Sequence, residues 1–400
     1  MPIQSITHVE FHCADADKAA AGLCADFGFT PEESVARESA VIESGPEGSV
    51  ARESHAERGV PEGPGATAPG GVRAVHLRQG GIRLHLLSAA DPAHPVAEYV
   101  ARHGDGVAVI ALGCTDPQAS LERAERHGAR VLDRDGRLVA GFGDLALRFV
   151  PQPPEAGQDP QAGQEPASGQ EPQRGHGSAG SRSANADADA TATATATGTG
   201  TGTLLEALDH AAICVPAGEL APAVRFCEAA LGLHRIFGEY IEVGEQAMDS
   251  SVVQSASGEV TFTLIEPDTG RRPGQIDTFL ADHGGAGVQH LAFRTDDIAT
   301  AVRTIRGRGV EFLSTPGAYY DALAERLGGT AIPVGTLREL DVLVDQDHGG
   351  QLFQIFARST HPRRTYFLEL IERQGAGTFG TANIKALYEA VERQNAVASA

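Results

Sequence analysis

The chain has 400 residues, 41% of them hydrophobic, enough to bury one large core or two ordinary ones, and two domains are the expected organisation. Its formal charge of −21, with lysine and arginine nowhere gathered into a stripe, excludes a general electrostatic grip on nucleic acid or on an anionic membrane surface. No apolar run approaches the roughly 20 residues needed to cross a bilayer. The five cysteines form no C-x-x-C pair, and "MPIQSITHVEFHCADAD" lacks the basic region and apolar core of a secretory signal, so a soluble cytoplasmic protein with small-molecule or protein partners is expected.

In chain order, "ITHVEFHCADADKAAAGLCADFGF" predicts a short strand, a turn, an amphipathic helix and a glycine exit. "SVARESAVIESGPEG" followed at once by "SVARESHAERGVPEG" is a tandem duplication over 34–63, rich in Glu, Gly and Pro, and reads as an inserted surface loop. The segment 151–203 contains no Ile, Leu, Val, Phe, Tyr or Met and cannot offset its ordering entropy, so it is expected to be a disordered tether between 1–150 and 204–400. The second part opens on "LDHAAICVPAGELAPAVRFCEAALGL", which echoes the first, and "HGDGVAVIALGCTD" matches "HGGAGVQHLAFRTD" almost position for position. This is an internal duplication of a strand–helix–strand unit. His8 falls opposite His210, but Val109 falls opposite His290, so the N-terminal copy reads as chemically silent.

Three polar side chains interrupt apolar strand faces in the C-terminal part. His210 in "LLEALDHAAICV" is expected to share a face with Leu208 and Ala212, His290 in "GVQHLAF" with Val288 and Ala292, and Glu369 in "RTYFLELIER" with Phe367 and Ile371. A lone strand histidine is more often a hydrogen-bonded core residue than a ligand. An ionised carboxylate among apolar neighbours is harder to dismiss, because it is costly unless a cation or a hydrogen-bond network compensates it. Two neutral imidazoles and one carboxylate on facing strands suit non-heme Fe(II) and leave half an octahedron free, although zinc accepts the same donors.

"GAGTFG", residues 375–380, matches a dinucleotide-binding G-x-G-x-x-G, but too little chain follows for the second strand and its ribose-binding acid, and a flexible turn is the expected structure. Beyond it, "NIKALYEAVERQ" places Ile384, Leu387, Tyr388 and Val391 on one helical stripe, either packed on the barrel or forming a lid. His103, His283, His348 and His361 abut glycines or a proline and read as loop residues.

With "LDHAAICV", "MDSSVVQSASGEVTFTLIEPD", "GAGVQHLAFRTDDI", "TPGAYYD", "DHGGQLFQIF" and "FLELIERQGAGTFGTANIKALYEAVE" in view, the C-terminal part resembles the 4-hydroxyphenylpyruvate dioxygenase and 4-hydroxymandelate synthase family of the vicinal oxygen chelate fold. The N-terminal part matches more loosely, through "HGDGVAVIAL" and "FGDLALRFV". The resemblance implies an α+β protein of two vicinal oxygen chelate domains, built from βαβββ modules into open barrels. Residues 1–150 would be a degenerate copy without metal and 204–400 the catalytic copy with a C-terminal lid helix. It places His210, His290 and Glu369 at Fe(2+)-ligand positions, and Ser250, Ile265, Gln354, Phe367, Phe379 and Asn383 around the substrate. The substrates it implies are 4-hydroxyphenylpyruvate and O2, with loss of CO2 and hydroxylation of what remains, and it implies a homodimer. The dioxygenase branch hydroxylates the ring to give homogentisate, and the synthase branch hydroxylates the benzylic carbon to give 4-hydroxymandelate, an aryl-glycine precursor. Ile265 stands in "TLIEPD" where the dioxygenase branch carries an asparagine, which removes a directed hydrogen bond and leans the reading to the synthase, with the dioxygenase and a non-catalytic binding protein of the same fold as alternatives.

Overall fold

The computed structural model describes residues 3–32, 67–68, 71–152, 203–378, 383 and 385. The duplicated 34–63 loop, the bulk of the 151–203 tether, Phe379 and the apolar stripe of the terminal helix lie outside the described residues.

The chain forms two sheets of the same design. The first contains β1 (Ile3–His12), β2 (Thr30–Pro31), β3 (Thr67–Ala68), β4 (Val72–Gln79), β5 (Ile82–Ala89), β6 (Gly106–Cys114), β7 (Val131–Asp133), β8 (Leu138–Phe142) and β9 (Leu145–Pro151), in the order β2-β4-β5-β1-β6-β9-β8-β7 with β3 beside β4. The second contains β10 (Ala207–Cys214), β11 (His234–Val243), β12 (Gln246–Gln254), β13 (Thr261–Pro267), β14 (Gly287–Arg294), β15 (Leu343–Gln346), β16 (Gln351–Phe356) and β17 (Phe367–Gln374), in the order β11-β12-β13-β10-β14-β17-β16-β15. In each, an antiparallel central pair (β1·β6 or β10·β14) is flanked by parallel partners, and the sheet curls into a half-barrel. The duplicated modules read from the sequence are therefore duplicated in topology.

The helices that cover the outer faces are α1 (Ala16–Phe27), α2 (Pro95–His103), α3 (Pro117–Arg126), α4 (Leu220–Phe226), α5 (Gln275–His283) and α6 (Ile298–Gly307). Three start on an aspartate whose carboxylate accepts from a first-turn backbone N–H: Asp15 from Lys18, Asp116 from Ala119 and Asp297 from Thr300. Between the helices and both sheets runs one continuous apolar core, in which Phe29 of the first half meets Phe293 of the second edge-on at 5.7 Å. Each fully buried phenylalanine, such as Phe149, Phe262, Phe293 or Phe353, contributes about 1.5–3 kcal/mol through the surface it removes from water. No helix among the described residues is long and apolar enough to cross a membrane.

Strand phase differs from strict alternation at two places. On β10, Leu208 pairs with Phe293 and His210 with Ala292, so Asp209 is surplus. On β14, Val288 pairs with Ile213 and His290 with Ala212, so Gln289 is surplus. Each surplus residue makes a bulge that flips the faces beyond it. Leu208 and Val288 consequently pack into the outer core, whereas His210 with Ala212, and His290 with Ala292, face the concave inner side. The expectation that each histidine shares a face with the aliphatic residue two positions earlier is thus corrected, and β14 is buried on both sides.

His103 and His283 also depart from the loop reading. They are the last residues of α2 and α5, each followed by a glycine cap, and both are buried. These equivalent residues of the two halves stack on one another with ring centroids 4.4 Å apart, and His103 Nδ1 lies 2.7 Å from the His283 carbonyl oxygen. Their places at helix ends, next to glycine, gave them a loop-like sequence context.

Candidate metal centre

The bulges bring three donors together on the inner face of the second half-barrel. One row across the sheet runs from His210 on β10 through Ala292 on β14 to Glu369 on β17, and the neighbouring row runs from Ala212 through His290 to Phe367. Donor atoms of His210, His290 and Glu369 lie within 4.8 Å of one another, and all three residues are buried. Both imidazole Nε2 atoms face the same carboxylate oxygen, Glu369 Oε2, at 3.6 Å from His210 and 3.4 Å from His290. The two rings are nearly perpendicular, at 82°.

Neighbours fix each donor. Asp209 Oδ1 lies 2.9 Å from His210 Nδ1. Burial works to raise the Asp209 pKa, but hydrogen bonds from Arg373 and His210 hold it well below the usual carboxylate range. The carboxylate is therefore ionised and accepts from His210 Nδ1, which leaves Nε2 as the ring nitrogen that faces the cavity. His290 stacks on Phe367 at 4.9 Å and meets Phe356 edge-on, and burial then His210 lower its pKa well below the ordinary 6.5, so it is a neutral imidazole. Glu369 Oε1 accepts a 2.7 Å hydrogen bond from Gln354 Nε2, which leaves Oε2 for the two histidines. Gln354 Oε1 in turn accepts from Asn383 Nδ2 at 2.9 Å, and Asn383 Oδ1 accepts from the Tyr319 hydroxyl at 2.9 Å.

This donor chemistry fits a divalent cation. Two imidazole Nε2 atoms and a carboxylate oxygen converge on one point, where a divalent cation would take a lone pair from each. Burial pushes the Glu369 carboxyl up to about 7, partly opposed by the neighbouring His210 and the Gln354 hydrogen bond.

The substrate-side expectations divide. Ser250 on β12 pairs directly with Ile265 on β13, and Ile265 packs in an inner apolar cluster with Met248, Phe356 and, at its margin, Phe367. The Ser250 hydroxyl donates to the Glu239 carbonyl oxygen at 3.2 Å. Gln354 and Phe367 contact Glu369 and His290 directly, Asn383 reaches them through Gln354, and Phe379 lies outside the described residues. Sequence reasoning missed Thr263, which pairs with Ala212 on the inner wall and whose buried hydroxyl has no hydrogen-bond partner among the described residues. It also missed Asp209 and Arg373. The acid directly before a candidate ligand histidine was the available signal for the former.

The glycine-rich "GAGTFG" begins at a close backbone crossing rather than a nucleotide site. Gly375 has φ +91°, and a Cβ there would run into the carbonyl oxygen of Gly349.

In the first half the register aligns His8, Val109 and Arg148 with His210, His290 and Glu369. Both bulges recur, at Thr7 and Ala108, and the Thr7 hydroxyl meets His8 Nδ1 at 3.2 Å where Asp209 Oδ1 meets His210 Nδ1 at 2.9 Å. A guanidinium and an isopropyl group offer a cation no lone pair. Arg148 instead pairs with Glu10 at 3.6 Å.

The glyoxalase/bleomycin resistance protein/dioxygenase superfamily model matches residues 7–146 and 209–324. The chain is 30% identical to 4-hydroxyphenylpyruvate dioxygenase of Danio rerio over 405 aligned positions, covering 96% of this chain and 89% of that protein. The chain belongs to the 4-hydroxyphenylpyruvate dioxygenase family. Another family member, probable 4-hydroxyphenylpyruvate dioxygenase 2 of Aspergillus fumigatus, is 40% identical over 201 positions, a match that spans 47% of this chain and 48% of that relative. Among solved structures of the family, a triply substituted mutant of 4-hydroxymandelate synthase from Streptomyces coelicolor superposes with TM-score 0.74 at 38% identity, covering 98% of this chain and 100% of that one. The two-half-barrel architecture expected of the vicinal oxygen chelate fold is thus established for this family member.

Proposed function

We propose that this protein is a non-heme Fe(II) oxygenase that converts 4-hydroxyphenylpyruvate and O2 to 4-hydroxymandelate and CO2, placing one dioxygen atom in the new carboxylate and the other on the benzylic carbon. The observation that carries this reading is the buried convergence of His210, His290 and Glu369 within 4.8 Å. Ferrous iron held by these three residues would supply dioxygen activation next to a chelated 2-oxo acid.

The chain's own residues do the rest. His210 and His290 present neutral Nε2 donors, and Glu369 supplies one negative charge that, with the substrate carboxylate, balances a divalent cation in a dry cavity. Gln354 occupies Glu369 Oε1, which would leave Oε2 to hold the ion. Phe356, Phe367 and Ile265 exclude water and pack against the aryl ring, and the aliphatic Ile265 supports benzylic rather than ring hydroxylation because it gives the ring no directed hydrogen bond. Ser250, Gln354, Phe367 and Asn383, with Phe379 retained from the family resemblance, complete the substrate contacts. Residues 1–150 form the domain without metal and 204–400 the catalytic domain, joined by the 151–203 tether; the protein acts as a cytoplasmic homodimer in aryl-glycine precursor supply.

The full-length similarity to a dioxygenase favours a second reading with the same ligands, in which the product is homogentisate. Product analysis separates the two. Ferrous-loaded protein given 4-hydroxyphenylpyruvate and O2 is expected to form 4-hydroxymandelate, and homogentisate as the main aromatic product overturns the assignment.

A further inference from the structure

We infer that Asp209 and Arg373 form a positioning strut that fixes the His210 imidazole and, from the same guanidinium, the start of the C-terminal segment. Arg373 donates to Asp209 through Nε to Oδ2 at 2.7 Å and Nη2 to Oδ1 at 2.9 Å, and Asp209 Oδ1 also meets His210 Nδ1 at 2.9 Å. The third nitrogen, Nη1, donates to the carbonyl oxygens of Ala376 at 3.2 Å and Thr378 at 2.8 Å. The side chains of Asp209 and Arg373 are 7% and 17% exposed, so the pair is largely shielded from solvent and its geometry is held rather than averaged.

The local backbone makes this contact available. Successive residues of a regular strand point to opposite faces, which would carry the Asp209 carboxylate away from its neighbour's ring. The bulge at Asp209 removes that restriction and lets one carboxylate face both His210 and Arg373. Arg373 lies four residues after Glu369 on β17, so one strand carries both a ligand and the cation that orients another ligand's partner. The backbone it grips is held from the other side as well, since Asp347 Oδ2 accepts from Gly377 N, Thr378 N and Thr378 Oγ1 at 2.8, 2.8 and 2.9 Å. The strut therefore links the orientation of a ligand to the base of the segment that delivers Asn383 to Gln354. This inference rests on the metal-site reading.

The test uses the full-length protein and cobalt(II) as an air-stable probe with a ligand-field spectrum. Asp209→Asn and Arg373→Met replace none of His210, His290 and Glu369, and each is expected to weaken cobalt(II) binding about 10- to 100-fold and to shift the visible bands. Arg373→Met should in addition speed amide exchange at Gly377 and Thr378. The double variant should be little worse than either single one, because the two residues act as a unit. Unchanged affinity and spectrum in Asp209→Asn, or additive losses in the double variant, overturn the strut. If Arg373→Met fails to fold by circular dichroism, Asp209→Asn, which is nearly isosteric, decides alone through affinity and spectrum. Failure of the wild-type chain to bind cobalt(II) or ferrous iron instead sinks the metal-site reading, a result distinct from either outcome for the strut.

Discussion

Replacing Glu369 with glutamine is expected to stabilise the metal-free protein at pH 8 while abolishing ferrous binding. The carboxyl is 1% exposed, and burial lifts its pKa from the ordinary 4.5 to about 7. Below pH 4.5 it is neutral in folded and unfolded chains alike. Between 4.5 and about 7 the folded chain keeps a proton that the unfolded chain has lost, so stability falls as pH rises, and above 7 the full penalty stands. An interval of about 2.5 pH units at about 1.36 kcal/mol each is about 3 kcal/mol. A glutamine still accepts from Gln354 and carries no charge, so the variant escapes that penalty. Urea unfolding in the presence of chelator should show Glu369→Gln more stable than wild type by about 2–3 kcal/mol at pH 8, with the gap closing near pH 5. Ferrous iron should reverse the order, since it stabilises only the chain that binds it. A gap absent at pH 8, or equally large at pH 5, refutes the reasoning, because either result means that Glu369 is not ionised at a cost.

Ile265→Asn should move product from 4-hydroxymandelate toward homogentisate, read as a ratio by chromatography, and lower stability by about 1–3 kcal/mol through an amide unsatisfied among Met248 and Phe356; an unchanged ratio removes this residue from product control. Gly375→Ala should cost about 1–3 kcal/mol in thermal or urea unfolding because of its positive φ and the Gly349 carbonyl in the way, and a neutral substitution would contradict the backbone crossing.

The sequence carried the three convergent donors but not their phase. His210, His290 and Glu369 were legible because polar groups stand out in apolar strands, and the duplicated topology because residues 8 and 109 align with 210 and 290. The bulges at Asp209 and Gln289 were not, since a surplus residue in a ladder depends on its partner strand and leaves no local composition mark. The Asp209–Arg373 pair spans 164 positions and forms only when β10, β14 and β17 lie side by side. Thr263 was hidden for a different reason: threonine is a common strand residue, and only its missing partner sets it apart.

The offset of alternation has a consequence for the first half. Because Thr7 and Ala108 keep the same surplus residues as Asp209 and Gln289, the first half-barrel preserves the frame of a ligand site with the wrong side chains in it. Glu10 stands where the second half has Ala212, Val109 where it has His290, and Arg148 where it has Glu369. Three exchanges, Glu10→Ala, Val109→His and Arg148→Glu, would set a matching trio around His8 without moving the backbone.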